Sequence, residues 1–296
     1  MRSAGNQKLF YSLFVVLVFT ACQKGYAPDG VTVSTATGTV VSGSTTLLAK
    51  DETKTTGSTE ATTNLYEYDA SSRLTRITTI DIDSSNKSIT TVFRYVRDAS
   101  GKITSVITNS LAANSPAAGY PDSIYVNVNY PSGSSTYNFT SYGFSVATTS
   151  VKDSIGYVYA GGNITDAYEY QAISTTSPSL TLVSRIQYVY SNGNIVAQKV
   201  YTPNAGALTL AGTYSYDYDS KISPLVTGNE GFLVGQNIGF VSKNNPVKVV
   251  ITDNVKNTTL YTFDYTLQYS AANLPLSGTI LQTPGNKTST IKFTYK

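Results

Sequence analysis

The chain has 296 residues, with 21 Lys and Arg against 18 Asp and Glu, one cysteine, no tryptophan and no histidine. A net charge of +3 on a chain that is only 13% charged leaves no basic stripe for phosphates, which argues against nucleic-acid binding. The missing histidines exclude Ser-His-Asp and Cys-His catalysis and imidazole ligands to metals, so no cofactor and no metal are expected.

Residues 1–21 read as a secretory signal: Arg2 and Lys8 give a positive start, Leu9–Phe19 is apolar, and Ala21 is the small residue a signal peptidase needs. The run is shorter than the roughly 20 residues of a spanning helix. Cys22, the lone thiol, follows directly. This arrangement resembles a bacterial lipobox, with Phe19 where Leu is usual. The resemblance implies that Cys22 is acylated with palmitate-type chains and that the lipid bilayer is a partner through it. Cleavage there takes two cations and no acid from the net charge.

Residues 22–60 are rich in Ser, Thr and Gly and end in Lys50-Asp-Glu-Thr-Lys-Thr-Thr-Gly57. They read as a flexible tether, within which Val31–Leu48 leaves room for one or two strands. From residue 61 to 296 the pattern is all-β. Tyr, Thr, Val and Ile favour a pleated surface, and no window shows a clean 3.6-residue apolar stripe.

Within 61–296 a unit recurs: an aromatic strand ending in Tyr, a short Asp/Ser/Asn/Gly turn, then an aliphatic residue opening the next strand. Copies are Tyr66-Glu-Tyr68-Asp-Ala-Ser-Ser-Arg-Leu74, Tyr95-Val-Arg-Asp-Ala-Ser-Gly-Lys-Ile103, Tyr157-Val-Tyr159-Ala-Gly-Gly-Asn-Ile164 and Tyr188-Val-Tyr190-Ser-Asn-Gly-Asn-Ile195. Tyr216-Asp-Tyr218-Asp-Ser-Lys-Ile222 and Leu267-Gln-Tyr269-Ser-Ala-Ala-Asn-Leu274 follow. Asp, Ser and Asn bond their own backbone two residues on, and Gly supplies the positive φ of a tight hairpin. A single hairpin cannot bury its face, whereas stacked neighbours can. The expected fold is one large curved antiparallel sheet of stacked β-hairpin repeats, open or partly closed. Later strands are expected over 213–218, 247–253, 259–269 and 290–295. Gly228–Gly239, poorly patterned, reads either as a loop with a short helix or as a loop shaping a groove.

Tyr68-Asp-Ala-Ser-Ser-Arg-Leu74 resembles the tyrosine-aspartate (Rhs-type) repeat, with Ser72 in place of Gly. The second half resembles the secreted Bacteroidota lipoproteins of domain of unknown function 4595. Tyr214-Ser-Tyr216-Asp217 leads to Lys221-Ile-Ser-Pro224, then Asn244-Asn-Pro246, Phe263-Asp-Tyr265 and Ile291-Lys-Phe293-Thr-Tyr295. That resemblance implies a β fold and an envelope address, and transfers no catalytic residue.

The candidate sites are few. Asp81-Ile-Asp83-Ser-Ser-Asn86 is weakly like the start of a calcium loop but lacks its central Gly and closing Glu, and a hairpin turn accounts for it better. Glu67 with Asp69, or Asp217 with Asp219, are the carboxylate pairs a glycan hydrolase would use. Ten tyrosines (66, 68, 95, 157, 159, 188, 190, 214, 216 and 218) form a ladder whose spacings suggest that they cannot all share one face. Cross-strand packing is their first role, and a subset left exposed makes an aromatic platform. The candidate binding surface is Tyr66, Tyr68, Tyr188, Tyr190, Tyr216, Asp217 and Asp219, for a glycan or a cell-surface protein. The expected function is a non-catalytic binding or structural module of the envelope. The alternatives are a carboxylate-dependent glycan hydrolase and a passive spacer.

Overall fold

The computed structural model describes residues 46–109, 121–146, 149–174, 179–233 and 238–296. The signal segment, Cys22 and the first part of the tether lie outside the described residues. The strands are β1 (Leu48–Thr55), β2 (Ala61–Tyr68), β3 (Leu74–Ile82), β4 (Ser88–Arg97), β5 (Ile103–Thr108), β6 (Ile124–Asn129), β7 (Phe139–Val146) and β8 (Thr149–Ala160). They continue as β9 (Asn163–Ser174), β10 (Thr181–Ser191), β11 (Asn194–Asn204), β12 (Ala207–Ile222), β13 (Asn244–Asp253), β14 (Thr258–Tyr269), β15 (Pro275–Thr283) and β16 (Lys287–Tyr295). Each pairs antiparallel with the next, and β1 pairs with β16, so the sheet is a closed barrel.

Closure corrects the expectation of an open or partly closed sheet. The strand that closes it, β1, lies in the stretch read as tether. Its residues look like spacer because both faces are polar. Lys50, Glu52 and Lys54 face outward, with Lys50 and Glu52 ion-paired at 2.9 Å. Asp51 faces inward, buried, and accepts hydrogen bonds from Tyr66 Oη at 2.6 Å and Asn64 Nδ2 at 3.0 Å. Backbone bonds between Leu47 and Lys296 fasten the seam at its end.

Odd-numbered strands start, and even-numbered strands finish, at one end of the barrel, here termed the base. The hairpin turns repeat one design. In Asp69–Arg73, Asp83–Lys87 and Asp98–Lys102 the first carboxylate accepts the backbone N–H groups two and four residues on, at 2.8–3.0 Å. The fourth residue sits in the left-handed region: Ser72 at φ 59°, Asn86 at 62° and Gly101 at 91°. The Asp81–Asn86 segment is therefore a hairpin turn, with Asp81 accepting Thr62 Oγ1 across the β2–β3 pair.

Period-two alternation then sorts the side chains. The inner face carries Tyr66, Ile77, Tyr95, Val106, Val126, Tyr157, Tyr188 and Tyr216, all buried in one core. The outer face carries charge on most strands: Arg76, Arg94, Lys152, Asp166, Arg185, Lys199, Asp217, Lys248, Asp264 and Lys292, some of them in register opposite another charge, as in Arg76↔Arg94, Asp217↔Lys248 and Lys248↔Asp264. Among the described residues no helix is long and apolar enough to cross a membrane.

Candidate functional site at the base of the barrel

At the base, six hairpins share a bulge. The pairing steps from Glu67↔Arg76 to Tyr68↔Leu74, from Val96↔Ser105 to Arg97↔Ile103, and from Val158↔Asp166 to Tyr159↔Ile164. It steps likewise from Val189↔Ala197 to Tyr190↔Ile195, from Asp217↔Lys248 to Tyr218↔Pro246 and from Gln268↔Ser277 to Tyr269↔Pro275. One extra residue on the odd strand turns its opening residue inward beside the tyrosine or arginine that ends the inward row of the even strand, the re-aiming that bulges perform.

These inward residues form a hoop. Tyr68 Oη donates to Leu48 O (2.9 Å), Tyr130 to Ile103 O (3.1 Å), Tyr159 to Tyr137 O (2.6 Å), Tyr190 to Ile164 O (2.9 Å), Tyr218 to Ile195 O (2.6 Å) and Tyr295 to Pro275 O (2.7 Å). Arg97 Nη2 reaches Leu74 O in the same way, at 3.3 Å. Each phenol thus serves a backbone carbonyl at or just before the start of a neighbouring strand. The recurring aromatic–turn–aliphatic order is the sequence trace of this hoop.

Tyr269 departs from the pattern. It donates to Asp219, which also accepts the N–H groups of Lys221 (2.9 Å) and Asn245 (3.2 Å) and the Asn245 amide. This is where the β12–β13 connection, in place of a short turn, folds back into the base as a plug. Gly228–Leu233 and Ile238–Phe240 are two 3-10 turns, and Phe232, Leu233, Ile238 and Phe240 are buried in the core. Of the two readings of Gly228–Gly239, the short helical turns are present.

The plug is latched at several points. Glu230 forms a bidentate pair with Arg97, both contacts at 2.8 Å. Tyr137 Oη donates to Asn229 O at 2.5 Å, and Asn229 Nδ2 donates to Gly162 O at 2.8 Å. The Phe232 ring meets Tyr188 edge-on at 4.8 Å, and Phe240 lies 6.3 Å from Tyr66. Asn194 and Asn244 exchange hydrogen bonds at 3.0 and 2.9 Å. Gly231 has no room for a Cβ, which would fall 2.8 Å from Phe240 O. Sequence reasoning missed Arg97, Glu230 and Asn229. The Asn244-Asn-Pro246 step did carry a signal, as the exit of the plug.

All ten ladder tyrosines point inward, so they do share a face: every within-strand pair is two apart, and the hairpin registers bring the strands into phase. Tyr66, Tyr95, Tyr157, Tyr159, Tyr188 and Tyr216 are buried, and Tyr68, Tyr190, Tyr214 and Tyr218 are half-buried against the same core. Of the candidate binding surface, Tyr66, Tyr68, Tyr188, Tyr190 and Tyr216 therefore lie inside the barrel, Asp219 is bonded to Lys221, Asn245 and Tyr269, and Asp217 is exposed on the outer face. These seven residues form no flat exposed platform. The Tyr95 and Tyr188 hydroxyls are buried without a hydrogen-bond partner among the described residues.

Three of the four candidate carboxylates are engaged structurally, and Asp217 is exposed. Glu67 faces outward against Arg76 at 3.2 Å. Asp69 is held below the usual carboxylate range by the Arg73 backbone N–H, then by the Arg73 side chain and the Ser71 N–H. Burial pushes the Asp51 carboxyl up, opposed by the Tyr66 and Asn64 hydrogen bonds. Burial also raises the hoop phenols, with Tyr68, Tyr130 and Tyr218 pushed up to about 12. Among the described residues no group of three or more carboxylate or thiol side chains is placed to hold a metal ion.

No family model matches the chain. No curated protein matches it either. Among solved structures, the fold is similar to a porin-like protein from Bacteroides uniformis, with a TM-score of 0.51 and 11% identity over 84% of this chain and 98% of that one. A porin-like protein from Bacteroides vulgatus matches with a TM-score of 0.43 and 13% identity over 85% and 99%. At such identity the first likeness is one of fold: an all-β closed antiparallel barrel.

Proposed function

We propose that the protein is a non-catalytic envelope lipoprotein whose barrel stands in the aqueous phase, tethered by acylated Cys22 to the outer membrane, and serves as a binding or structural module for a glycan or a surface protein. The single observation that carries this reading is the sidedness of the barrel. A membrane-spanning barrel presents an apolar band about 25 Å tall to lipid and keeps polar residues inside. Here the outer face carries Lys, Arg, Asp and Glu along the strands, interspersed with exposed Leu65, Val96, Tyr125, Val189 and Leu281, while the inner face holds the aromatic core together with buried Asp51, Asp153 and Glu169. Each Lys or Arg on a lipid-facing wall costs about 2–4 kcal/mol at the bilayer midplane. That cost falls to about 0–1 kcal/mol near the interfaces, and Arg76, Arg94, Lys152, Arg185, Lys199, Lys248 and Lys292 together weigh against immersion. The porin-like fold and the signal-like start both fit an envelope address.

Fractionation tests the reading. The Cys22→Ser protein is expected to move from the membrane to the soluble fraction with its sheet signal intact, and residues 46–296 to be soluble without detergent. Retention of the Cys22→Ser protein in the membrane, or a detergent requirement for 46–296, defeats it.

A further inference from the structure

We propose that the outer wall at β3–β6 carries a binding cleft for an oxyanion, of the kind borne by acidic saccharides; this rests on the reading that the outer face is bathed by water. The cleft has a volume of about 400 Å³ and is lined by Arg76, Val92, Arg94, Ile107, Asn109 and Ser123, with Asp122 at its exposed rim and Thr108 beneath. Arg76 and Arg94 are direct cross-strand partners, Ile107 is opposite Arg94, and Val92 lies two residues before it. Like charges directly opposite destabilise a sheet, so this pair asks for an anion.

The surroundings supply only part of one. Arg76 gives a single hydrogen bond to Glu67, at 3.2 Å, and Arg94, exposed, has no ion-pair partner among the described residues. Asn109 Oδ1 is taken by the Val92 N–H at 2.9 Å, which leaves the amide NH₂ to donate. Two guanidinium forks suit carboxylate and phosphate oxygens. The aliphatic floor of Val92 and Ile107 suits the C–H face of a sugar ring, and Asn109 and Ser123 suit its hydroxyls. Carboxylate and phosphate share this chemistry, and the two are separated by experiment.

The full chain with Cys22→Ser is titrated at low salt with glucuronate, with glucose 6-phosphate and with neutral glucose, while the arginine side-chain N–H resonances are followed. Saturable shifts with glucuronate alone assign a carboxylate-bearing ligand, with glucose 6-phosphate alone a phosphate-bearing one, and with both a general oxyanion site. In each case glucose is expected to bind at least tenfold more weakly. Arg94→Ala is expected to weaken binding tenfold or more, whereas Lys292→Ala on β16 leaves it within twofold. The proposal is overturned if neither anion binds, if glucose binds as well, or if Arg94→Ala binds as the parent does. A protein that needs detergent defeats the aqueous-barrel reading instead, so the two failures are distinct.

Discussion

The inner faces of β2–β10 and of β13–β16 carry the same kinds of residue but differ in what lies over them. On the first wall Tyr66, Ile77, Tyr95, Val106, Val126, Tyr157 and Tyr188 are buried. On the second Val249, Ile251, Tyr261, Phe263, Ile280, Ile291 and Phe293 remain half-accessible. The difference is the plug. Phe232 rests on Tyr188, Phe240 lies near Tyr66, Glu230 grips Arg97 and Asn229 reaches Gly162, all on the first wall. A barrel of about sixteen strands is too wide for its own side chains to fill, so burial depends on an inserted segment and not on strand alternation alone. The second wall is the less covered part of the inner face.

Alkaline pH tests this division most severely. Tyr68, Tyr130 and Tyr218 are raised by burial to about 12, against roughly 10 for an unfolded tyrosine. Below pH 10 both states keep the proton, and the full stability is present. Between about 10 and 12 the unfolded chain releases protons that the folded chain retains, so stability falls as pH rises through that window. Apart from exposed phenols such as Tyr125, phenolate absorbance is expected to rise together with loss of the far-ultraviolet sheet signal. Ionisation of most phenols ahead of that loss would show the hoop to be solvent-permeable.

Paired truncations address the walls directly. Phe232→Ala empties a buried ring site and is expected to cost about 3–5 kcal/mol in denaturant unfolding. Phe263→Ala on the uncovered wall removes a ring that is already half-wetted, and about 1–2 kcal/mol is expected. Equal costs would mean that the plug covers nothing of consequence.

The hoop allows a finer cut. Tyr218→Phe deprives Ile195 O of its phenol donor and is expected to cost about 1–3 kcal/mol. Tyr188→Phe removes a hydroxyl that is buried without a partner among the described residues, and is expected to be neutral or slightly stabilising. If the two substitutions have the same effect, the phenol-to-carbonyl bonds contribute nothing.

Much of this was legible in the sequence because it is local. The Asp-led turns, the Tyr–turn–aliphatic order and the all-β class follow from spacing within a dozen residues. Closure was not legible, since β1 is polar on both faces and its partner β16 lies at the other end of the chain. The common inward phase of the tyrosines depends on the registers between strands, and a one-residue slip reverses a face. The Arg97–Glu230 latch joins residues 133 apart, and neither flank carries a motif. Of the carboxylates weighed for catalysis, Asp69 caps a turn, Glu67 pairs with the neighbouring strand and Asp219 ties β12 to β13 and β14, assignments that need the partner strand to be known, while Asp217 is exposed. The cleft at Arg76 and Arg94 arises only from cross-strand register.

A small effect is expected in the β2–β3 hairpin turn. Ser72 occupies the left-handed position at φ 59°, where Gly101 stands in the equivalent turn at 91°. A non-glycine residue there costs roughly 1–2 kcal/mol against its preferred conformation. Glycine relieves that strain, but it also raises the entropy lost on folding by about 0.4–1 kcal/mol. Ser72→Gly is therefore expected to stabilise by about 0.5–1 kcal/mol, seen as a raised denaturation midpoint with an unchanged slope. The reverse change, Gly101→Ser, is expected to cost more, because a Cβ there falls 2.0 Å from Arg73 Nη1 and the Arg73 side chain has to move. Equal and opposite effects at the two positions would show that backbone conformation alone distinguishes the turns and that the Arg73 contact is inert.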